Sequence, residues 1–129
     1  MMEDALSFEG NTGPYVQYTY ARTCSVLSKV EEKGDCELTV TAEEEVSLLK
    51  TLARFEEVVR EAIDAYEPSI VTRYILDVAG AYNRFYHNCS ILGADNEAIR
   101  DTRVALTKAA KTVLGNAFGL ICLAKTEKI

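Results

Sequence analysis

Apolar residues recur along the chain at the three-and-four spacing of helices, and the expected strand content is essentially nil. The first such run follows a turn signal, Gly10-Asn11-Thr12-Gly13, that leads into Pro14. Proline's fixed φ and missing donor suit the first position of a helix, so Pro14 is expected to open one that ends near Lys33, before Gly34. Val16, Tyr20, Thr23, Leu27 and Val30 form its core stripe. Thr41-Ala42-Glu43-Glu44 reads as a capping box, and the stripe Leu48, Leu52, Phe55, Val59, Ile63 and Tyr66 carries a second helix to the Glu67-Pro68 break. A third helix buries Ile70, Tyr74, Ile75, Val78, Tyr82 and either Phe85 or Tyr86, with Gly80 expected where a neighbouring helix comes close. Asp95 is expected to cap a fourth, whose inner face is Ile99, Thr102, Leu106, Ala109 or Ala110, Val113 and Ala117. Gly115 and Gly119 are expected to break its end, leaving a short turn over 116–123. The fold expected is an all-α antiparallel bundle of four main helices with a short extra C-terminal helical turn.

Not every patterned residue belongs to the core. Tyr15, Tyr18 and Arg22 share a face of the first helix, well over a quarter turn from its stripe. Two aromatics beside a guanidinium suit base stacking and phosphate contact. The same spacing also suits tyrosines lining the rim of a bundle, and spacing alone leaves both readings open.

The chain is long enough for one domain with a real core, and 48% of its residues are hydrophobic. No run is apolar for the roughly 20 residues that a membrane span needs. No secretory signal pattern opens the chain, so a soluble, cytoplasmic protein without membrane association is expected. Cys24, Cys36, Cys89 and Cys122 lack paired ligand spacing, which argues against zinc; with an adequate core they are expected to be free thiols. The net charge of −6 disfavours general nucleic-acid binding, but its distribution alters that reading. Residues 1–68 hold six Lys/Arg against fifteen Asp/Glu, a balance of −9, and residues 69–129 hold eight against five, a balance of +3. An RNA-facing surface would therefore draw on the C-terminal half together with Arg22. Glutamates 43, 44 and 45 suit the positive end of a helix and need no metal to explain them. A phosphate-binding loop, a dinucleotide fingerprint and a nucleophile elbow are all missing, and His87 has no partner set by spacing. An enzyme is the least supported class.

The segment Ala5-Leu6-Ser7-Phe8-Glu9-Gly10-Asn11-Thr12-Gly13-Pro14-Tyr15-Val16-Gln17-Tyr18, with Ala21-Arg22 after it, resembles the opening of the C-terminal anticodon-binding domain of arginyl-tRNA synthetases. Tyr82-Asn83-Arg84-Phe85-Tyr86 resembles that domain's Asn-Arg-Phe-Tyr segment. Arg103-x-Ala105-Leu106, Val113-Leu114-x-Asn116 and Gly119-Leu120 resemble its last helix. Three segments in the right order span nearly the whole chain. The resemblance implies a helical domain over 14–129, with 1–13 a lead-in from a catalytic body that lies upstream, so that the chain is a fragment. It implies grip on the anticodon stem-loop of the arginine tRNA, with RNA contacts from Tyr15, Tyr18, Arg22, Asn83, Arg84, Tyr86 and Asn116. Ile129, which stands where the family often ends in methionine, is the eighth expected RNA contact. The implied partners are that tRNA and the catalytic domain of the same chain. The implied cofactors, ATP and magnesium, serve the full-length enzyme and not this fragment, which lacks the family's adenylating signatures. Without the resemblance, Tyr86 reads as core, Asn83 as a surface amide and Asn116 as a helix C-cap. The alternative function is an acidic helical bundle that binds a protein partner and no RNA.

Overall fold

The computed structural model describes residues 13–30 and 37–127, the last five by their backbone alone. Among the described residues five helices follow one another: α1 (Gly13–Ser28), α2 (Glu43–Ala53), α3 (Phe55–Ala65), α4 (Ser69–Asn88) and α5 (Glu97–Glu127). No strand occurs among the described residues. Helix α4 is the hub and packs against all four others, while α1 also packs on α5 and α2 on α5. Its buried side, from Val71 through Tyr74, Ile75, Val78 and Tyr82 to Phe85, is the centre of the core. The choice at the end of that stripe falls on Phe85, which is fully buried, and Tyr86 stays 38% exposed.

The expected second helix is two helices. Arg54 leaves helical geometry at φ −82° and ψ −4°, with its own N–H turned back to Thr51 and Leu52. Carbonyls loosened by that break are met from outside: the Tyr74 hydroxyl donates to Thr51 O at 2.7 Å and to Leu52 O at 3.3 Å. The break shifts the register of α3. Val58 and Ala62 face the core, Phe55 is half-buried, and Ile63 and Tyr66 of the expected stripe stand in solvent. Tyr66 ends α3 in the left-handed region, φ 54°, ahead of Pro68, the N-cap of α4.

Other expectations need smaller corrections. Helix α1 starts at Gly13, and it stops at Ser28, five residues early. Its buried residues are Gly13, Val16, Thr19, Thr23 and Val26; Tyr20 turns outward because the stripe follows the contacts with α4 and α5. Glu45, one residue later than the capping box implied, supplies the carboxylate that accepts from the Ala42 N–H at 2.8 Å. Asn96, not Asp95, caps α5 by accepting from the Ile99 N–H at 2.9 Å. The extra C-terminal turn is part of α5, which runs through Gly115 and Gly119. Leu114, Ala117 and Ile121 stay buried along that stretch, so packing on both sides of the glycines outweighs their weak helix preference. Gly80 has no neighbouring helix against it; a Cβ there would meet only the Arg84 side chain, at 3.4 Å.

Candidate RNA-binding face

The face expected on the first helix is exposed, and α4 completes it. Tyr15 is 41% exposed and Tyr18 59% exposed. Arg22, one turn beyond Tyr18, lies between two rings: its guanidinium carbon is 4.8 Å from the Tyr18 centroid and 4.3 Å from that of Tyr86. A planar cation stacked on tyrosine faces gains from their quadrupoles while keeping its N–H edges for other partners. Two edges are already used, Nη1 donating to Asn83 Oδ1 at 2.8 Å and Nη2 to the Tyr18 hydroxyl at 2.6 Å.

Asn83 locks the two helices together. Its Nδ2 donates to the Tyr15 hydroxyl at 2.9 Å and to Thr19 Oγ1 at 3.0 Å, while its carbonyl holds Arg22. Thr19 is fully buried and donates back to Tyr15 O at 3.0 Å, so the amide is braced from beneath. Thr19 escaped sequence reasoning. The available signal was its position four residues after Tyr15, where a hydroxyl can bond its own helix and still accept from a neighbour. Tyr82, expected in the core stripe and found there, is a second support. It is buried beneath Tyr86 at a centroid distance of 6.3 Å and shares a 3.3 Å hydrogen bond with Thr107. Burial pushes its phenol pKa upward, which keeps that hydroxyl protonated.

Five of the eight expected residues, Tyr15, Tyr18, Arg22, Asn83 and Tyr86, thus form one contiguous cluster. Arg84 is exposed on α4 but lies over Gly80, outside the cluster. Asn116 is exposed in the middle of α5 and caps nothing. Beside it, Gly115 and Tyr20 help to line an apolar groove of about 220 Å³ between α1 and α5. Ile129 lies outside the described residues. A second hollow, of about 530 Å³, adjoins the cluster where Tyr86, His87 and Lys29 meet the loop after α4. The electrostatics suit an anion: α1 contains no Asp or Glu, and α4 contains only Asp77. Among the described residues no group of three or more His, Cys, Asp or Glu is placed to hold a metal ion. Cys24 and Cys89 are free thiols, and burial raises the pKa of Cys89, which keeps it unreactive.

A paired-tyrosine clamp on a guanidinium, on the carboxylate-poor side of an acidic bundle, is a surface suited to unstacked nucleotides. The model of the DALR anticodon binding domain matches residues 16–129. The chain belongs to the DALR anticodon-binding family. Relatives of this DALR domain include the arginine–tRNA ligases of Clostridium perfringens, 44% identical over 131 residues, and of Clostridium botulinum strain Alaska E43, 41% identical over 129. Each match covers 98% of this chain and 23% of the relative, so the chain spans about a quarter of those proteins' length. Among solved structures, Thermus thermophilus arginyl-tRNA synthetase superposes with a TM-score of 0.80 at 36% identity, over 92% of this chain and 21% of the other. The shared fold is the all-helical one expected from the sequence. None of the described helices is long and apolar enough to cross a membrane.

Proposed function

We propose that this chain reads the anticodon loop of the arginine tRNA, as the RNA-gripping segment of a cytoplasmic arginine–tRNA ligase. The observation that carries the reading is the Tyr18–Arg22–Tyr86 stack with its exposed outer surfaces. Single-stranded loops offer base faces and Watson–Crick edges, and proteins read them by stacking and hydrogen bonding. Tyr18 and Tyr86 supply the stacking platforms. Arg22 adds positive charge between them and the N–H edges that Tyr18 and Asn83 leave unused. Asn83 is occupied at both ends of its amide, so its role here is to aim Arg22 and Tyr15. The Tyr15 hydroxyl accepts from Asn83 and keeps its own proton to donate to a base edge or a phosphate. Arg84 and Asn116, both exposed, are the candidates for contacts beyond the cluster. Arginine activation with ATP and magnesium, and the catalytic domain that performs it, belong to the remainder of the ligase.

Fluorescence anisotropy with a labelled arginine anticodon stem-loop tests this. Binding is expected to weaken as salt rises, since phosphate contacts release counterions. Tyr18→Ala is expected to weaken it by about 1–3 kcal/mol, the worth of one stacked base. Arg22→Ala should do at least as much, because both rings lose the cation between them. Equal affinity for a stem-loop carrying an unrelated anticodon would overturn the assignment.

A further inference from the structure

Helix α3 shows solvent a face with the period of a core. Val59 and Ile63 lie at i and i+4 on one side of the helix, and Tyr66 follows them as its left-handed C-cap. The break at Arg54 turns that side outward, leaving Val59 half-buried, Ile63 66% exposed and Tyr66 92% exposed. Tyr66 also adopts a left-handed backbone that glycine tolerates far better, yet the position carries a large aromatic with no burial to reward it. Along one flank of this apolar strip stand the exposed carboxylates of Glu56, Glu57, Asp64 and Glu67. The single cation of α3, Arg60, is paired with Glu56 at 3.2 Å.

The charge decides the occupant. RNA is repelled by the four carboxylates that flank the strip. A second copy in a two-fold contact would set those same carboxylates against themselves. A protein surface with an apolar centre and a Lys/Arg rim matches both features. We propose that this face of α3 is the seat for such a surface on the remainder of the ligase polypeptide, the three-quarters of its relatives' length that this chain does not cover. The assignment rests on the reading that the chain works within an arginine–tRNA ligase. Its position permits simultaneous RNA binding. Helix α3 packs on α4 at the end marked by the Phe55–Tyr74 stack, and Tyr74 precedes Asn83 by nine residues, roughly 13 Å along the helix.

The test measures how fast a thiol reagent modifies Ile63→Cys, followed by mass spectrometry of the peptide that contains it. The substitution is made in the 129-residue chain alone and in the same chain spliced in place of the matched segment of the Clostridium perfringens ligase. At least tenfold slower modification in the spliced protein is expected, with an exposed control, Ser25→Cys, reacting at the same rate in both. Equal rates at position 63 would overturn the proposal. So would slowing in the isolated chain on raising its concentration, which means self-association, or on adding the anticodon stem-loop, which means an RNA site. Charge is checked by Glu57→Lys combined with Asp64→Lys in the spliced protein. Reversing the rim should restore fast modification at position 63, and unchanged protection would count against a basic partner. Failure here leaves the effects of Tyr18→Ala and Arg22→Ala on RNA affinity untouched, so the two readings fall separately.

Discussion

Arg22 shows how much a single side chain on this surface depends on its neighbours. A lone exposed arginine loses rotamer freedom when it grips a ligand. Here two rings, the Tyr18 hydroxyl and the Asn83 carbonyl hold the guanidinium before any ligand arrives. The face was legible because tyrosine and arginine at i, i+3 and i+7 share a side of any helix. That Tyr86 would complete it was not legible from periodicity, because residues 85 and 86 both border the stripe of α4; only the resemblance placed Tyr86 outside. Gly80 illustrates the opposite error. A glycine in mid-helix suggests a close neighbour, but the space beside it holds only the flexible end of Arg84. Gly80→Ala is therefore expected to stabilise the fold by up to about 1 kcal/mol, through the lower backbone entropy of the unfolded chain. A rise in the urea midpoint with unchanged m-value would show it, and a fall would mean that Arg84 cannot move aside.

At the level of elements, the helices and their order could be read from the chain, and the break at Arg54 could not. Thr51-Leu52-Ala53-Arg54-Phe55 holds no glycine or proline. The break is stabilised by a residue distant in sequence, whose hydroxyl takes up the carbonyls of the last turn of α2. Periodicity carried across such a point names the wrong residues, which is why it puts Val59, Ile63 and Tyr66 inside and passes over Val58 and Ala62. Tyr74→Phe keeps the ring and its stack on Phe55 but takes the hydroxyl donor from Thr51 O and Leu52 O, and is expected to destabilise by about 1–2 kcal/mol. The same hydroxyl gives a pH signature. Burial is the main reason its pKa rises from 10.0 to about 12, with the Arg54 cation pulling the other way. The native state then holds a proton that the unfolded chain gives up first. The contribution is complete below pH 10 and is lost as pH rises towards about 12. Urea midpoints across that interval should fall more steeply for the parent than for Tyr74→Phe, and parallel curves would place the proton elsewhere.

Among the described helices a carboxylate-rich α3 contrasts with an α1 that has no carboxylate, and a buried ion pair joins the parts. The carboxylate-rich α3 packs on α4 near Tyr74 and α1 packs on it near Asn83, so RNA at one place and a protein at the other need not compete. The half-chain charge balance hinted at that division, but it could not show that Glu45 and Arg103 leave the surface. Glu45 is fully buried. Its Oε1 accepts from the Thr41 N–H, the Thr41 hydroxyl and the Ala42 N–H, while Oε2 faces Arg103 Nε at 3.7 Å, an ion pair too long for a hydrogen bond. Arg103 also donates to Ser90 O at 2.6 Å, so one guanidinium ties α5 to the start of α2 and to the loop after α4. In sequence the glutamate is one of three in a row, and local spacing cannot say which of them turns inward. Removing one partner of a buried pair leaves the other charge uncompensated, which generally destabilises by about 3–5 kcal/mol, a large part of the roughly 5–15 kcal/mol that holds a domain together. Arg103→Met is expected at the lower end, since water can still approach the arginine's site. Adding Glu45→Gln to it should recover part of the loss, because the amide oxygen can keep the cap while the stranded charge disappears. Urea unfolding followed by far-UV circular dichroism gives the four corners of that cycle. Losses that simply add would mean that the two groups act independently and that the cap alone makes Glu45 matter.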